Sequence, residues 1–163
     1  MTARAPKSPL LWWERQALDE AVAKATRSFP LETGGVLLGW RTGPRLAVVS
    51  HVVGPGPGAE HHERSFRPDA AWQQKQINEI YENSGRRVTY LGDWHTHPKG
   101  SPSLSRRDAN TLRRIARYGD ARAPKPIMAV LGGGDPDWLL GARQVTSAWA
   151  PRLQSMQIHP YDA

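Results

Sequence analysis

His95 and His97 stand one residue apart in the stretch GDWHTHPKGSPSLSRRD, residues 92–108, and Ser105 and Asp108 follow after a proline and a short loop. In an extended strand, side chains two apart face the same way, so both imidazoles would point to one side. Ser105 and Asp108, three apart, would share a face of the first turn of a helix. Pro98 cannot donate to a strand ladder and marks the end of the strand. Two imidazoles and one carboxylate make three ligands and leave a fourth tetrahedral position open, as in catalytic rather than structural zinc sites. An ion held in this way brings the pKa of a bound water down towards about 7. Each part also has a plainer reading. Ser105-Arg-Arg-Asp108 fits a capping box that needs no metal, and a histidine pair at a strand end is often only solvated.

Such chemistry needs a general base from elsewhere in the chain. Glu32 lies in FPLETGGVLLGW, directly before an apolar, strand-like run. A charge at the mouth of a buried strand is costly unless it is exposed or has a task. One task is to take a proton from an activated water and pass it to the leaving amine; the alternative is a solvated strand-entry residue. Gly34 and Gly35 read either as turn glycines or as bare backbone against which an extended peptide can lie. His51, His61 and His62 read as a strand residue and a solvated loop pair, not as ligands.

These groups must be positioned by a modest set of elements. Apolar periodicity predicts a helix over 9–28 (Leu11, Leu18, Val22, Ala25), with Ser8-Pro9 at its start and Pro30 after its end. Segments 34–40 and 45–53 read as paired strands around Thr42-Gly43-Pro44, and 54–66 as a long polar loop. A second helix spans 68–85 with Trp72, Ile77, Ile80 and Tyr81 on its buried stripe. A strand over 87–97, a third helix over 105–118 and strands over 126–132 and 138–145, joined by a Gly/Asp/Pro turn, complete the core. Segment 153–161 could add a short edge strand. This mixture lacks βαβ regularity, so the fold class is α/β of the mixed, α+β kind, in one domain over 1–163 with its core at about 9–145 and a tail over 146–163.

At 163 residues the chain suits one such domain. Its mean hydropathy of −0.60 fits a soluble globular protein. It has no cysteine, which excludes disulfides and thiolate ligands and leaves histidine and carboxylate to bind any metal. The apolar run Leu10–Trp13 is shorter than a signal-peptide core of about 7–15 residues, and no segment reaches the ~20 residues of a membrane span. The expected location is cytoplasmic, with no membrane partner. A formal charge of +7 favours anionic partners. Arg106, Arg107, Arg113, Arg114 and Arg117 fall on one expected helix, a pattern compatible with docking an acidic partner or with a solvated face.

Glu32-Thr33-Gly34-Gly35-Val36-Leu37-Leu38-Gly39, then His95-x-His97-Pro98, then Ser105-x-x-Asp108, together resemble the signature of the JAMM (MPN-domain) metalloproteases. The resemblance runs from the first helix to about residue 145. It implies an MPN/JAB deaminase-like fold with a mixed sheet packed between helices. It further implies one catalytic Zn2+ on His95, His97 and Asp108, with Glu32 as acid–base residue and Ser105 stabilising the oxyanion. Members of the family that keep these residues hydrolyse isopeptide or peptide bonds after the C-terminal glycine of ubiquitin or ubiquitin-like proteins. GPGPGAEHHERSFRPD and YLGDWHTHP look like the bacterial JAB-type proteins encoded beside E1- and E2-like proteins in anti-phage conjugation operons. The implied partners are a ubiquitin-like protein or its conjugate, and those E1/E2-like proteins. Nucleic acid is not expected, although RadC-type proteins share a similar His-x-His-Pro segment. The other rivals are a noncatalytic MPN binding module and a sulfur-carrier processing enzyme. The substrate tail is expected to bind as an added strand in a channel flanked by strand 35–40 and loop 54–66, with Gly34 and Gly35 beside it.

Overall fold

The computed structural model describes residues 8–134 and 136–163. In chain order the elements are β1 (Leu10–Glu14), α1 (Arg15–Ser28), β2 (Gly34–Arg41), β3 (Leu46–Val53), β4 (Glu60–His61), β5 (Phe66–Arg67), α2 (Ala70–Asn83), β6 (Thr89–Pro98), α3 (Arg106–Arg117), a 3-10 turn (Gly119–Ala121), β7 (Ile127–Gly133), β8 (Trp138–Val145), β9 (Leu153–Ser155) and β10 (Gln157–Tyr161). Eight strands form one mixed sheet in the order β10-β1-β3-β2-β6-β7-β8-β9, and β4 pairs with β5 separately.

Helices cover both faces of that sheet, and strand alternation decides which residue goes where. Leu37 joins Ala17, Ala21 and Ala25 of α1, together with Ile127, Ala129 and Leu131 of β7, in the larger core. Its neighbours Val36 and Leu38 point the other way and pack with Trp72, Ile77 and Ile80 of α2. Met128 likewise turns towards Leu112 and Ala116, one turn apart on α3. The mixed α/β architecture expected from the sequence, a mixed sheet packed between helices, is therefore the one observed.

Three expectations are corrected. Residues 9–28 are not one helix, because Leu10–Glu14 form a strand before α1 begins at Arg15. Leu11 and Trp13 are fully buried, while Trp12 between them is exposed. This period of two is sustained by parallel pairing to β3 and β10, partners too distant in sequence for local periodicity to reveal. Loop 54–66 is not structureless either, since Glu60–His61 pairs with Phe66–Arg67 at its end. The tail forms two strands instead of one: β9 pairs with β8 at one edge of the sheet, and β10 pairs with β1 at the other. The turn expected between β7 and β8 includes Asp135, which lies outside the described residues, as does 1–7 of the domain. Among the described residues no helix is long and apolar enough to cross a membrane.

Candidate metal centre

β6 lies between antiparallel β2 and parallel β7, and its last residues carry both histidines. At the start of α3, Ser105 is the N-cap. Its hydroxyl accepts from the Asp108 N–H at 3.1 Å, and Asp108 Oδ2 accepts from the Ser105 N–H at 2.8 Å. The capping box is thus real, and the same Asp108 Oδ2 also lies 3.2 Å from Nε2 of both His95 and His97. Cap and cluster are one arrangement.

The two Nε2 atoms are 3.0 Å apart. Two imidazole nitrogens and a carboxylate oxygen so close need a proton or a cation among them. Tetrahedral coordination at about 2.0–2.1 Å places ligand atoms about 3.3 Å apart, and the observed triangle is near that size. His95, His97 and Asp108 are the group among the described residues able to hold a metal ion together. The outer nitrogen of His97, Nδ1, lies 3.1 Å from the Ser101 carbonyl, the kind of contact that fixes a ligand's tautomer. Burial raises the Asp108 carboxyl, but hydrogen bonds with His95 and His97 outweigh it and hold the group far below the usual carboxylate range. His97 is raised in turn, chiefly by its bond with Asp108. The residues present fit a metal ion.

Glu32 shares a cleft of about 300 Å³ with His95, Asp108 and Arg107. Its backbone is pinned from two sides. The Glu32 N–H donates to the His62 carbonyl at 2.8 Å, and His61 Nδ1 lies 2.9 Å from the Glu32 carbonyl. Next in the chain, Thr33 N–H donates to Thr96 Oγ1 at 3.0 Å, which ties the segment to β6 between the two histidines. Burial raises the Glu32 carboxyl, while His95 and His97 draw it back down.

Gly34 and Gly35 lie within β2, not in a turn, paired with His95 and Trp94. A Cβ on Gly34 would come within 2.3 Å of the Trp94 carbonyl oxygen and 2.6 Å of Phe66 Cζ, so this backbone must be bare for β2 to meet β6 and the β4–β5 ribbon. Gly35, Val36, Ser65 and Phe66 do line the cleft, so both expected flanks are beside the metal centre. The free edge expected along 35–40 is absent, because β2 is paired on one side with β3 and on the other with β6. On α3, Arg106, Arg107, Arg114 and Arg117 are exposed, whereas Arg113 bonds the Pro151 carbonyl at 3.1 Å. His61, expected as half of a solvated loop pair, is instead partly buried against the Glu32 carbonyl, and no local pattern marks a loop histidine as a support for a distant glutamate. Asp93, on the same face as His95, also lines this cleft; burial pushes its carboxyl up to about 6.

A mixed α/β sandwich with an open His-His-Asp cluster at the end of a central strand defines a metal-dependent hydrolase site. Residues 14–149 match the family described as prokaryotic homologs of the JAB domain, and the chain belongs to that family. It is 42% identical over 135 residues to the "Probable metalloprotease y4qB" of Sinorhizobium fredii, which covers 80% of this chain and 81% of the relative. It is 37% identical over 83 residues to a CD-NTase/cGAS isopeptidase of Vibrio cholerae, covering 51% and 53% of the two chains. A CD-NTase/cGAS isopeptidase of Enterobacter hormaechei is 24% identical over 136 residues, 83% of this chain and 72% of that one. The solution structure of protein DSY2949 from Desulfitobacterium hafniense shares the fold, with a TM-score of 0.66, 17% identity and coverage of 94% and 95%. The chain is a JAMM-type metallopeptidase, which sets aside the noncatalytic module.

Proposed function

We propose that this protein is a zinc-dependent isopeptidase that cleaves after the C-terminal glycine of a ubiquitin-like protein, in deconjugation or precursor processing, within one catalytic domain. The observation that carries the reading is that Glu32 lines one cleft of about 300 Å³ together with His95 and Asp108 of the His95-His97-Asp108 cluster. His95, His97 and Asp108 would hold the ion, and relatives named as a metalloprotease and as isopeptidases support that use. Zinc, when bound there, supplies Lewis acidity towards the scissile carbonyl and acidifies a water.

The chain's own groups handle protons and position. Glu32 takes a proton from the attacking water as the new C–O bond forms. It returns that proton to the amine nitrogen as the C–N bond breaks, leaving a carboxylic acid and an amine, which exchange the remaining water proton at neutral pH to give carboxylate and ammonium. The half-buried position that raises its carboxyl suits a group that must both accept and donate. The Ser105 hydroxyl accepts from Asp108 N–H and still has its own proton to donate to the developing oxyanion. The cleft that Gly35 and Phe66 help to line is only about 300 Å³, which favours small residues at the scissile end. The names of the relatives point to a conjugate of a CD-NTase-type protein as the substrate class, and the E1- and E2-like proteins that the sequence resemblance implies would make the bond.

The test is cleavage of a ubiquitin-like domain fused through Gly-Gly to a reporter. Cleavage should stop on chelation and return with Zn2+, and one zinc should bind per chain and be lost in His97→Ala. Undiminished cleavage by metal-stripped protein would overturn the reading.

A further inference from the structure

α3 carries a row of arginines turned away from the metal centre. Arg106, Asn110, Arg113 and Arg117 follow one another at spacings of four, three and four, so they form one stripe along the helix. At 1.5 Å per residue the stripe is about 16 Å long. Arg107, Asp108 and Thr111, which line the cleft of the metal centre, lie further round the helix. Arg106, Arg113, Arg117 and Arg152 form no ion pair among the described residues. Segment 138–161, which supplies the strands and loop next to this helix, contains no aspartate or glutamate.

The loop between β8 and β9 is fastened beside the stripe. Arg113 Nε donates to the Pro151 carbonyl at 3.1 Å, and the Thr146 N–H donates to the Arg152 carbonyl at 2.9 Å. Leu153 packs on the cluster that holds Leu112 and Ala116 of α3. On this loop Trp149 is 97% exposed. Its backbone N–H donates to Ser147 Oγ at 3.3 Å, so the backbone is held while the ring stands open. A protein-binding face has an apolar core several residues wide. Around Trp149 the chain offers Ser147, two alanines, Pro151 and Arg152 instead. A lone open ring among guanidinium groups suits a polyanion whose units carry flat aromatic faces. The guanidinium groups take phosphates and the ring takes a base. In a duplex the bases are already stacked on one another, so the strand must be single.

We infer that the outer face of α3 and the β8–β9 loop bind single-stranded nucleic acid, with one base stacked on Trp149. Arg106, Arg117 and Arg152 meet phosphates, and Arg113 holds the loop in place. This reverses the expectation from the sequence, where the motif concerns the metal centre and nothing local places residue 149 beside residue 113. The binding is separate from peptide cleavage and asks nothing of the metal.

The test uses the full chain and a fluorescein-labelled, fifteen-nucleotide oligothymidylate followed by anisotropy. The strand should bind at about 50 mM salt and lose about tenfold or more in affinity at about 200 mM, as expected when roughly three phosphates are neutralised. Trp149→Ala should weaken binding about tenfold, with Trp149→Phe weakening it less. Arg106→Gln with Arg117→Gln should weaken binding and flatten its salt dependence. These side chains are exposed, so the melting temperature should stay where it is. Arg27→Gln with Arg64→Gln, which removes two charges from other elements, should leave the affinity nearly unchanged. Equal losses from the two pairs would show net charge alone at work and overturn the inference. So would a Trp149→Ala chain that binds like its parent, equal affinity for a duplex of the same length, or no binding at micromolar to millimolar protein. Competition by a fifteen-residue polyglutamate as strong as by the unlabelled strand would also overturn it, assigning the face to an acidic protein.

Discussion

Ser105 joins two roles in one hydroxyl, and its removal should show both. The oxygen caps α3 through the Asp108 N–H, and loss of such a cap costs about 0.5–2 kcal/mol. If the hydroxyl also meets the oxyanion, Ser105→Ala lowers kcat by about 10²–10³ with KM little altered. A lower melting temperature with near-normal kcat would reduce Ser105 to a cap. Glu32→Gln is expected to keep zinc and fold while lowering kcat by about 10²–10⁴; zinc content and melts beside kinetics decide this, and near-normal turnover would mean another base. The residues of this centre were legible in the sequence because their spacings, two in a strand and three in a helix turn, are short and carry direction. The capping and metal readings of Ser105-x-x-Asp108 looked like rivals there. In the fold one carboxylate oxygen serves both. His61 was not legible, since it acts on a backbone carbonyl 29 residues away.

At the scale of elements, the tight seam between β2 and β6 sets the geometry of the metal centre. Gly34 faces His95 in the register, and an added Cβ would meet backbone, 2.3 Å from Trp94 O and 2.9 Å from His95 Cα. Backbone cannot swing aside as a side-chain tip can, so Gly34→Ala must part the strands. The expected cost is about 1–3 kcal/mol, typical of overpacking, together with weaker zinc binding as His95 shifts. Metal titration and denaturant unfolding check this, and unchanged values for both would show that the seam is loose. Helices α2 and α3 and the strands around the centre were legible because their apolar stripes repeat locally. The first element was not. Leu11, Leu18, Val22 and Ala25 keep helical spacing on paper, but Leu11 belongs to a strand whose paired residues are 36 and more positions away.

At the scale of the whole molecule, the chain's end closes the sheet against its beginning. β10 pairs in parallel with β1 over five residues, Leu10↔Gln157 to Glu14↔Tyr161. Met156, just before it, is buried in the core that holds Leu11, Trp13 and α1, and Ile158 packs on that core. On the opposite face His159 stacks on Trp12 with ring centroids 5.1 Å apart. A chain ending at Arg152 would lose β9 and β10, uncover β1 as an edge and expose part of the core around Trp13. Full burial of one large apolar side chain is worth about 1.5–3 kcal/mol, and a domain's whole margin is about 5–15 kcal/mol. The truncated chain should therefore be unfolded or melt far below the full one. Met156→Ala tests the same contact without shortening the chain and should cost about 2–5 kcal/mol. The metal centre lies three strands from β1, at β6, so Met156→Ala should bind zinc normally while folded. A truncated chain with an unchanged melting temperature, or a Met156→Ala chain as stable as the parent, would show that the sheet stands without its last two strands.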